Sequence, residues 1–394
     1  MEFAMAAMAT RAVLAWTAGL LILVVILWDV FETIILPRRV TRRFRLVRLF
    51  YRYTWIPWSG AARVIRRGSR RESFLSYFGP LSLLALFVVW AMGLIFAFAL
   101  LHLGAGSAIS PGVNEHRGFL ADLYLSGTTF FTLGLGDVTP QTELARVITV
   151  IEAGIGFGFL AVVISYLPVL YGAFSRREVN ISLLDARAGS PPTAAELLRR
   201  HTQPQSVAAL EQYFHDWETW AAELMESHLS YPVLCYFRSQ HNNQSWLAAL
   251  TTILDASALL IAYGQGALRW QAKLTFAISR HAVVDLAQVL NCPPKQTDGA
   301  RLPPGELQKL HGVLIAAKLS DCCSEDRDES ERRLGDLRRM YEPYIAALSE
   351  RLLMPVGAWV PAKQIVDNWR TSAWARISTD IETPLAEAEE KEHF

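Results

Sequence analysis

The chain has 394 residues, of which 52% are hydrophobic and 19% charged, and its formal net charge is +1. The length and the positive mean hydropathy exclude a small soluble domain and predict a membrane protein with a soluble part. A near-neutral charge gives no reason to expect a nucleic-acid partner.

Three apolar runs are long enough to cross a bilayer core, which takes about twenty helical residues. They occupy residues 12–36, 81–103 and 147–171, and the shorter run 119–131 cannot span. The first run begins after Arg11, but no small-residue cleavage site follows it, so we predict a retained transmembrane helix over 12–37. Residues 1–11 are expected to be disordered or cloning-derived.

Arginines crowd the segment 38–72, in which Glu72 is the one acid. The positive-inside rule therefore places this segment in the cytoplasm, the N-terminus outside and residues 176–394 in the cytoplasm, in a plasma (cell inner) membrane. Arg42, Arg45 and Arg48 recur every third residue among aromatic and aliphatic side chains, which favours an amphipathic helix in contact with membrane lipid, including anionic lipid. A membrane-parallel linker without a ligand stays open. A voltage sensor is disfavoured, because only one helix precedes the segment.

Three acids lie inside predicted spans. Asp29 and Glu32 are one turn apart near the cytoplasmic end of the first span, and the pattern favours pairing with the adjacent arginines over a role in gating. Glu152 has no basic neighbour within its span. Two positions stay open for it: the pore cavity, or the space behind the pore helix against Thr128 or Thr129.

The segment 129–137 reads Thr-Phe-Phe-Thr-Leu-Gly-Leu-Gly-Asp. Glycines that alternate with larger residues predict an irregular backbone whose carbonyl oxygens line a narrow pore. A nucleotide-binding loop is disfavoured, because the glycine spacing differs and membrane-length runs flank the motif. The pattern Thr129, Thr132, Gly134, Gly136 and Asp137 resembles the filter of the pore-loop potassium channel family, and the resemblance covers about residues 73–175.

The resemblance implies a homotetramer in which each chain supplies one quarter of a potassium filter. It assigns K⁺ as the permeant ion and the only cofactor-like ligand. The implied ion-binding residues are Thr132, Leu133, Gly134, Leu135 and Gly136, and the implied filter supports are Thr128, Thr129 and Asp137. The family usually carries an aromatic residue where Leu135 stands, so two alternatives remain: a weakly selective or non-selective cation channel, and a signalling scaffold or receptor with a degenerate pore.

Glycines recur in the third apolar run, at Gly154, Gly156 and Gly158. By resemblance to the family, the gating hinge falls near Gly156, although close packing against the outer helix is an alternative and both can hold. Pro168, further along, is expected to kink the cytoplasmic end of the pore.

The pattern of residues 176–380 predicts an α-helical cytoplasmic domain, which begins with a capping box of Thr193 and Glu196. Residues 246–263 are apolar, but Asp255 at their centre favours a buried soluble helix over a fourth span. No catalytic triad or nucleophile motif is present, so we do not expect an enzyme, and the acidic tail 381–394 is expected to be disordered. The fold class predicted is an all-α membrane protein.

Overall fold

The computed structural model describes residues 2–36, 45–105, 109–110, 118–201, 206–240, 243–296, 301–316 and 327–361. Over these residues the chain is an all-α membrane protein with one two-residue strand pair, in which Ile109 faces Pro140 and Ser110 faces Thr139. Contacts divide the chain into two units, which are Met1–Phe174 with Ser230–Phe237, and Ser175–Leu229 with Arg238–Phe394.

The first unit contains the predicted pore module. Its first helix continues into a π-helical turn at Phe31–Ile35. The elements in chain order are α1 Glu2–Val30, α2 Leu46–Val64, α3 Ser69–Ser76, α4 Phe78–Gly104, β1 Ile109–Ser110, α5 Phe119–Phe130, β2 Thr139–Pro140 and α6 Glu143–Ala188, which continues into the second unit. The stretch 1–11, expected to be disordered, is helical from Glu2 onward.

Helix α1 lies against the outer helix α4 through glycines. A Cβ at Gly19 would stand 2.8 Å from the Ala97 carbonyl oxygen, and one at Gly104 would stand 2.1 Å from the Trp16 ring. Small residues let two helices approach closely where the hydrophobic effect gives little drive for association. The extra N-terminal helix is therefore packed onto the outer helix of the pore module.

The second unit is helical throughout its described residues. Thr193 caps its first helix, because its Oγ1 accepts from the Glu196 backbone N–H at 3.3 Å, as the capping-box pattern predicts. The helices are α7 Ala194–Arg199, α8 Ser206–Ser230, α9 Trp246–Tyr263, α10 Gly266–Val289, α11 Pro304–Ala316, α12 Arg327–Arg339 and α13 Glu342–Leu352, with a short 3₁₀ helix at Pro232–Tyr236 that belongs to the first unit.

Within the described residues, four helices are long and apolar enough to cross a membrane, and α9 is one of them. Its apolar window is 94% buried inside the protein, whereas the windows in α1, α4 and α6 are 33%, 56% and 17% buried. Protein surrounds α9 on all sides, which is the environment of the buried helix that Asp255 predicts. The acidic tail 381–394 lies outside the described residues.

Asp255 is neutralised inside the second unit. Arg301 donates to both carboxylate oxygens, at 3.2 and 2.7 Å, and the Tyr341 hydroxyl donates to the same carboxylate. Arg301 also donates to Glu342 and to the Gly357 carbonyl oxygen. A bidentate guanidinium with further hydrogen bonds is the arrangement that makes a buried charge tolerable.

Candidate functional site

The segment predicted as the filter, residues 132–137, follows α5, the predicted pore helix, through a hydrogen-bonded turn. Phe131 N–H donates to the Gly127 carbonyl oxygen at 3.2 Å, and Thr132 N–H donates to that of Thr129 at 2.9 Å. Leu133 N–H donates to the Thr128 carbonyl oxygen at 2.7 Å. Thr128 and Thr129 thus hold the start of the filter with backbone oxygens that the end of a helix leaves without helical partners.

The filter backbone alternates in handedness. Thr132, Gly134 and Gly136 have φ of +57°, +57° and +78°, while Leu133 and Leu135 between them have negative φ. Alternating left- and right-handed residues turn successive peptide groups the same way, which lines up their carbonyl oxygens. Glycine adopts positive φ freely, but Thr132 at +57° is strained, a condition that clusters at functional sites.

A side-chain bond braces the outer end of this segment. The Tyr124 hydroxyl on α5 donates to Asp137 Oδ2 at 2.8 Å, and the Val138 N–H donates to Asp137 Oδ1 at 3.1 Å. Sequence reasoning expected Asp137 as a support but did not identify its partner. The sequence does show a tyrosine on the pore helix. Its separation from Asp137 along the chain does not indicate a contact, which only the tertiary structure reveals.

Replacing Tyr124 by Phe tests this brace. Tyr124→Phe removes one hydrogen bond, worth about 1 kcal/mol, and leaves the ring in place. We expect faster loss of current during sustained opening, because the filter exit is held less firmly. Single-channel recording of Tyr124→Phe against Tyr77→Phe, which removes a hydroxyl from an exposed ring, measures the effect. Identical kinetics for the two variants would contradict a bracing role.

The acids near the end of the first span have different partners. Asp29 Oδ2 accepts from Trp90 Nε1 of α4 at 3.0 Å, whereas Glu32 accepts from Trp28 Nε1 at 2.6 Å and lies 3.8 Å from the Arg45 guanidinium. Pairing with an adjacent arginine therefore describes Glu32. Asp29 is also attracted to the Arg45 charge, and its hydrogen bond to a tryptophan on the outer helix ties α1 to α4.

The arginines predicted to contact lipid separate into two environments. Arg45 donates to Thr33 Oγ1 and to the Glu32 carbonyl oxygen, and its side chain is only 15% exposed. The prediction that Arg45 contacts lipid is therefore corrected, because its guanidinium points inward to the π-helical turn. Arg48 is exposed on α2, and Arg42 lies outside the described residues.

The third acid, Glu152, lies behind the pore helix. Its carboxylate is fully buried and contacts the Ser126 hydroxyl of α5, and His102 Nε2 of α4 lies 3.4 Å from Glu152 Oε2. This is one of the two positions left open by the sequence. Its partner is Ser126, and neither Thr128 nor Thr129.

The glycines of α6 differ in their surroundings. The helix runs unbroken from Glu143 to Ala188 through all three glycines and Pro168. A Cβ at Gly156 would stand 2.2 Å from the Phe130 carbonyl oxygen at the end of α5, whereas Gly154 and Gly158 have no neighbouring atoms within 4 Å. Gly156 is thus a close-packing residue against the pore helix, where the sequence interpretation had the outer helix as the packing partner.

An aromatic segment, residues 231–237, completes the first unit from the C-terminal half of the chain. Its Tyr236 ring lies 5.7 Å from Tyr51 and 5.0 Å from Trp55 of α2, and 5.2 Å from Phe78 of α4. Aromatic pairs at such distances contribute about 0.5–1.5 kcal/mol each beyond their buried area. The segment is therefore firmly packed against α2 and against the outer helix α4.

The same aromatic segment also contacts the inner helix α6. Tyr231 lies 5.5 Å from Tyr166, and Phe237 lies 5.7 Å from Phe174, measured between ring centroids. No pattern in the sequence predicts this arrangement, since the paired residues are more than sixty positions apart. One short segment therefore contacts three helices, α2, α4 and α6.

Just beyond the first unit, α6 carries a buried polar cluster within the second unit. Arg177 pairs with Glu178 at 2.8 Å and approaches His228 Nε2 to 3.1 Å, while His228 Nδ1 lies 3.1 Å from Ser227 Oγ. Burial and the Arg177 charge lower the pKa of His228 well below its ordinary value. A neutral imidazole that accepts from Arg177 and donates to Ser227 fits these contacts.

His228 predicts acid-sensitive stability. Because its pKa is lower in the folded than in the unfolded chain, the unfolded chain binds the extra proton, and the free energy of unfolding falls as the pH drops below about 6.5. The loss is at most about 1.4 kcal/mol per pH unit for this one group. His228→Gln keeps an acceptor without titrating, so its thermal midpoint in detergent should depend less on pH than that of the parent between about pH 7 and 5. Parallel curves for parent and variant would exclude this histidine as the cause.

No group of three or more potential metal ligands occurs among the described side chains. The chain is similar to known proteins over part of its length. Residues 84–170 match the family model described as "Ion channel". The uncharacterized membrane protein YdjJ of Bacillus subtilis (strain 168) is 23% identical over 212 residues, which cover 53% of this chain and 60% of that protein. No solved structure matches the chain.

The matched segment contains α5, the filter and most of α4, together with α6 as far as Leu170. In chain order these are α4, α5, the segment predicted as a filter and α6. Residues 84–170 are thus similar to an ion channel family and lie within an all-α membrane protein.

Proposed function

We propose that the protein is a potassium channel subunit and that four copies surround one pore. The observation that supports this best is the backbone of residues 132–136, in which residues of positive φ alternate with the leucines between them, a pattern that can line up carbonyl oxygens. One such segment per chain supplies one wall, so a closed ring requires several copies. In this proposal the carbonyl oxygens of Thr132 to Leu135 replace the hydration shell of K⁺, and the Thr132 hydroxyl completes the innermost site.

A weakly selective cation channel is the second candidate, and Leu135 favours it. Its side chain is 64% exposed in the single chain, and it carries neither a ring nor a hydroxyl to fix its own carbonyl. Selectivity that depends on how firmly carbonyl dipoles are held would then be reduced. The Tyr124–Asp137 hydrogen bond acts against this loss of selectivity, because it fixes the adjoining part of the same segment. A signalling scaffold with a degenerate pore is the third candidate.

The reversal potential of the purified protein in a planar bilayer decides among the three. Under opposed potassium and sodium gradients, a value near the potassium equilibrium potential supports the potassium channel. A value near zero supports the weakly selective channel. Absence of current in protein that is folded and inserted would leave the scaffold.

We further propose that the C-terminal half regulates the pore through the aromatic segment. Residues 231–237 join α8 to the rest of the second unit, and they contact α2, α4 and α6 of the pore-bearing unit. A displacement of this segment would move Tyr166 on the inner helix through its contact with Tyr231. Tyr231→Ala should change the open probability, whereas Tyr231→Phe keeps the ring and should not. Equal open probability in both variants would remove the segment from gating.

The proposed orientation places the N-terminus outside and the arginine-rich stretch on the cytoplasmic face, where exposed residues such as Arg48 meet anionic lipid. Each basic residue near an anionic surface contributes about 1 kcal/mol. The test compares the binding of Arg48→Gln and of the parent protein to vesicles with and without phosphatidylserine. The inward-facing Arg45 is expected to contribute little.

A further inference from the structure

One hydroxyl group joins three helices behind the filter. Ser126 on α5 is fully buried, and its Oγ lies 2.8 Å from the Ile95 carbonyl oxygen of α4. The same Oγ is in short contact with Glu152 Oε1 of α6, and that carboxyl is fully buried as well. Ser126 therefore links the pore helix to both the outer and the inner helix.

Counting protons in this contact constrains the state of Glu152. A hydroxyl carries one proton, whereas a backbone carbonyl and an ionised carboxylate can only accept. With Glu152 ionised, the single Ser126 proton cannot satisfy both oxygens. With Glu152 protonated, its O–H donates to Ser126 Oγ, which donates to the Ile95 carbonyl oxygen, and both contacts are satisfied.

His102 is the group that would otherwise balance an ionised Glu152. Its Nε2 lies 3.4 Å from Oε2, whereas a charge-assisted bond is about 2.7–2.9 Å long. Neither ring nitrogen has a hydrogen-bond partner among the described residues. A buried ion pair is stable only with excellent geometry and further hydrogen bonds, whereas this pair is longer than a charge-assisted bond and its imidazole makes no other hydrogen bond among the described residues. The distances thus favour a neutral carboxyl beside a neutral imidazole.

We propose that Glu152 is protonated in the folded channel and is a positioning residue for the filter. Its proton fixes the inner helix to Ser126, and through Ser126 it fixes the pore helix whose last turn holds the filter by Thr128 and Thr129. The permeant ion touches none of these side chains. The inference deepens the proposed function, because the preference of potassium over sodium is its readout.

Four variants test whether Glu152 acts as a hydrogen-bond donor or as a charge. Glu152→Gln replaces the carboxyl O–H by an amide N–H that still donates to Ser126, so the potassium-to-sodium permeability ratio should stay within about twofold of the parent. Glu152→Leu and Ser126→Ala lose the link, and the ratio should fall by roughly two- to tenfold, the range of one net hydrogen bond. His102→Gln removes any imidazolium and should leave the ratio unchanged.

An infrared measurement tests the proton itself. The parent at neutral pH should show a protonated carboxylic C=O band that is missing from Glu152→Gln. Absence of that band overturns the proposal, as does a Gln variant that behaves like the Leu variant, or a loss of selectivity in His102→Gln. If the parent shows no preference for potassium, the proposed function fails, while the infrared band still decides the protonation of Glu152. The band also keeps the test decisive if the Leu variant does not fold.

Discussion

Replacing Arg301 by Met should destabilise the second unit more than any other single charge removal discussed for this chain. Arg301 holds both oxygens of the buried Asp255 carboxylate and also reaches Glu342. Without the guanidinium, Asp255 keeps a hydrogen bond from Tyr341 but no opposite charge. Removing one partner of a buried pair costs about 3–5 kcal/mol, which should appear as a clear fall in the thermal midpoint in detergent.

Lys295→Met is the matched control for that substitution. Lys295 pairs with Glu350 at 2.7 Å, but both side chains are 58% exposed, and an exposed pair contributes about 0–1 kcal/mol. Adding Asp255→Asn to Arg301→Met should recover part of the loss, because a neutral amide has a smaller burial cost. Equal midpoints for Arg301→Met and Lys295→Met would show that the buried pair contributes no more than a surface pair.

Gly156→Ala is expected to displace the pore helix. The new Cβ would stand 2.2 Å from the Phe130 carbonyl oxygen and 2.9 Å from its carbonyl carbon, and these are backbone atoms that cannot rotate away. The inner helix or the end of α5 must move, at a cost of about 1–3 kcal/mol or more. Because the filter begins directly after Phe130, we expect lost potassium current together with a lower thermal midpoint.

Gly158→Ala tests whether the effect depends on packing. Gly158 lies two residues further along the same helix and has no neighbouring atom within 4 Å, so alanine should be neutral or stabilise the helix by roughly 0.5–1 kcal/mol. A hinge at Gly156 predicts a different result, in which Gly156→Ala keeps its midpoint and only its open probability falls. The two measurements together separate packing from bending.

Much of the fold was predictable because the signals are local. Runs of apolar residues reveal membrane-length helices, and the filter segment carries its own backbone requirement in Gly134 and Gly136. The cap at Thr193 was also predictable, since a capping box joins residues three positions apart. Each of these features depends on neighbours within one or two turns, so the order of residues alone specifies it.

The partners of the buried polar groups depended on the tertiary structure. Asp29 interacts with Arg45, which is near it in sequence, but it is also hydrogen-bonded to Trp90, sixty-one positions away. Glu152 was left with two positions, and only the packing of α6 against α5 brought it to Ser126. Helical periodicity states which face of a helix is apolar, but it does not state which other helix meets that face. Contacts between distant helices depend on how close small residues such as Gly156 let them approach, and that is decided only when the helices pack.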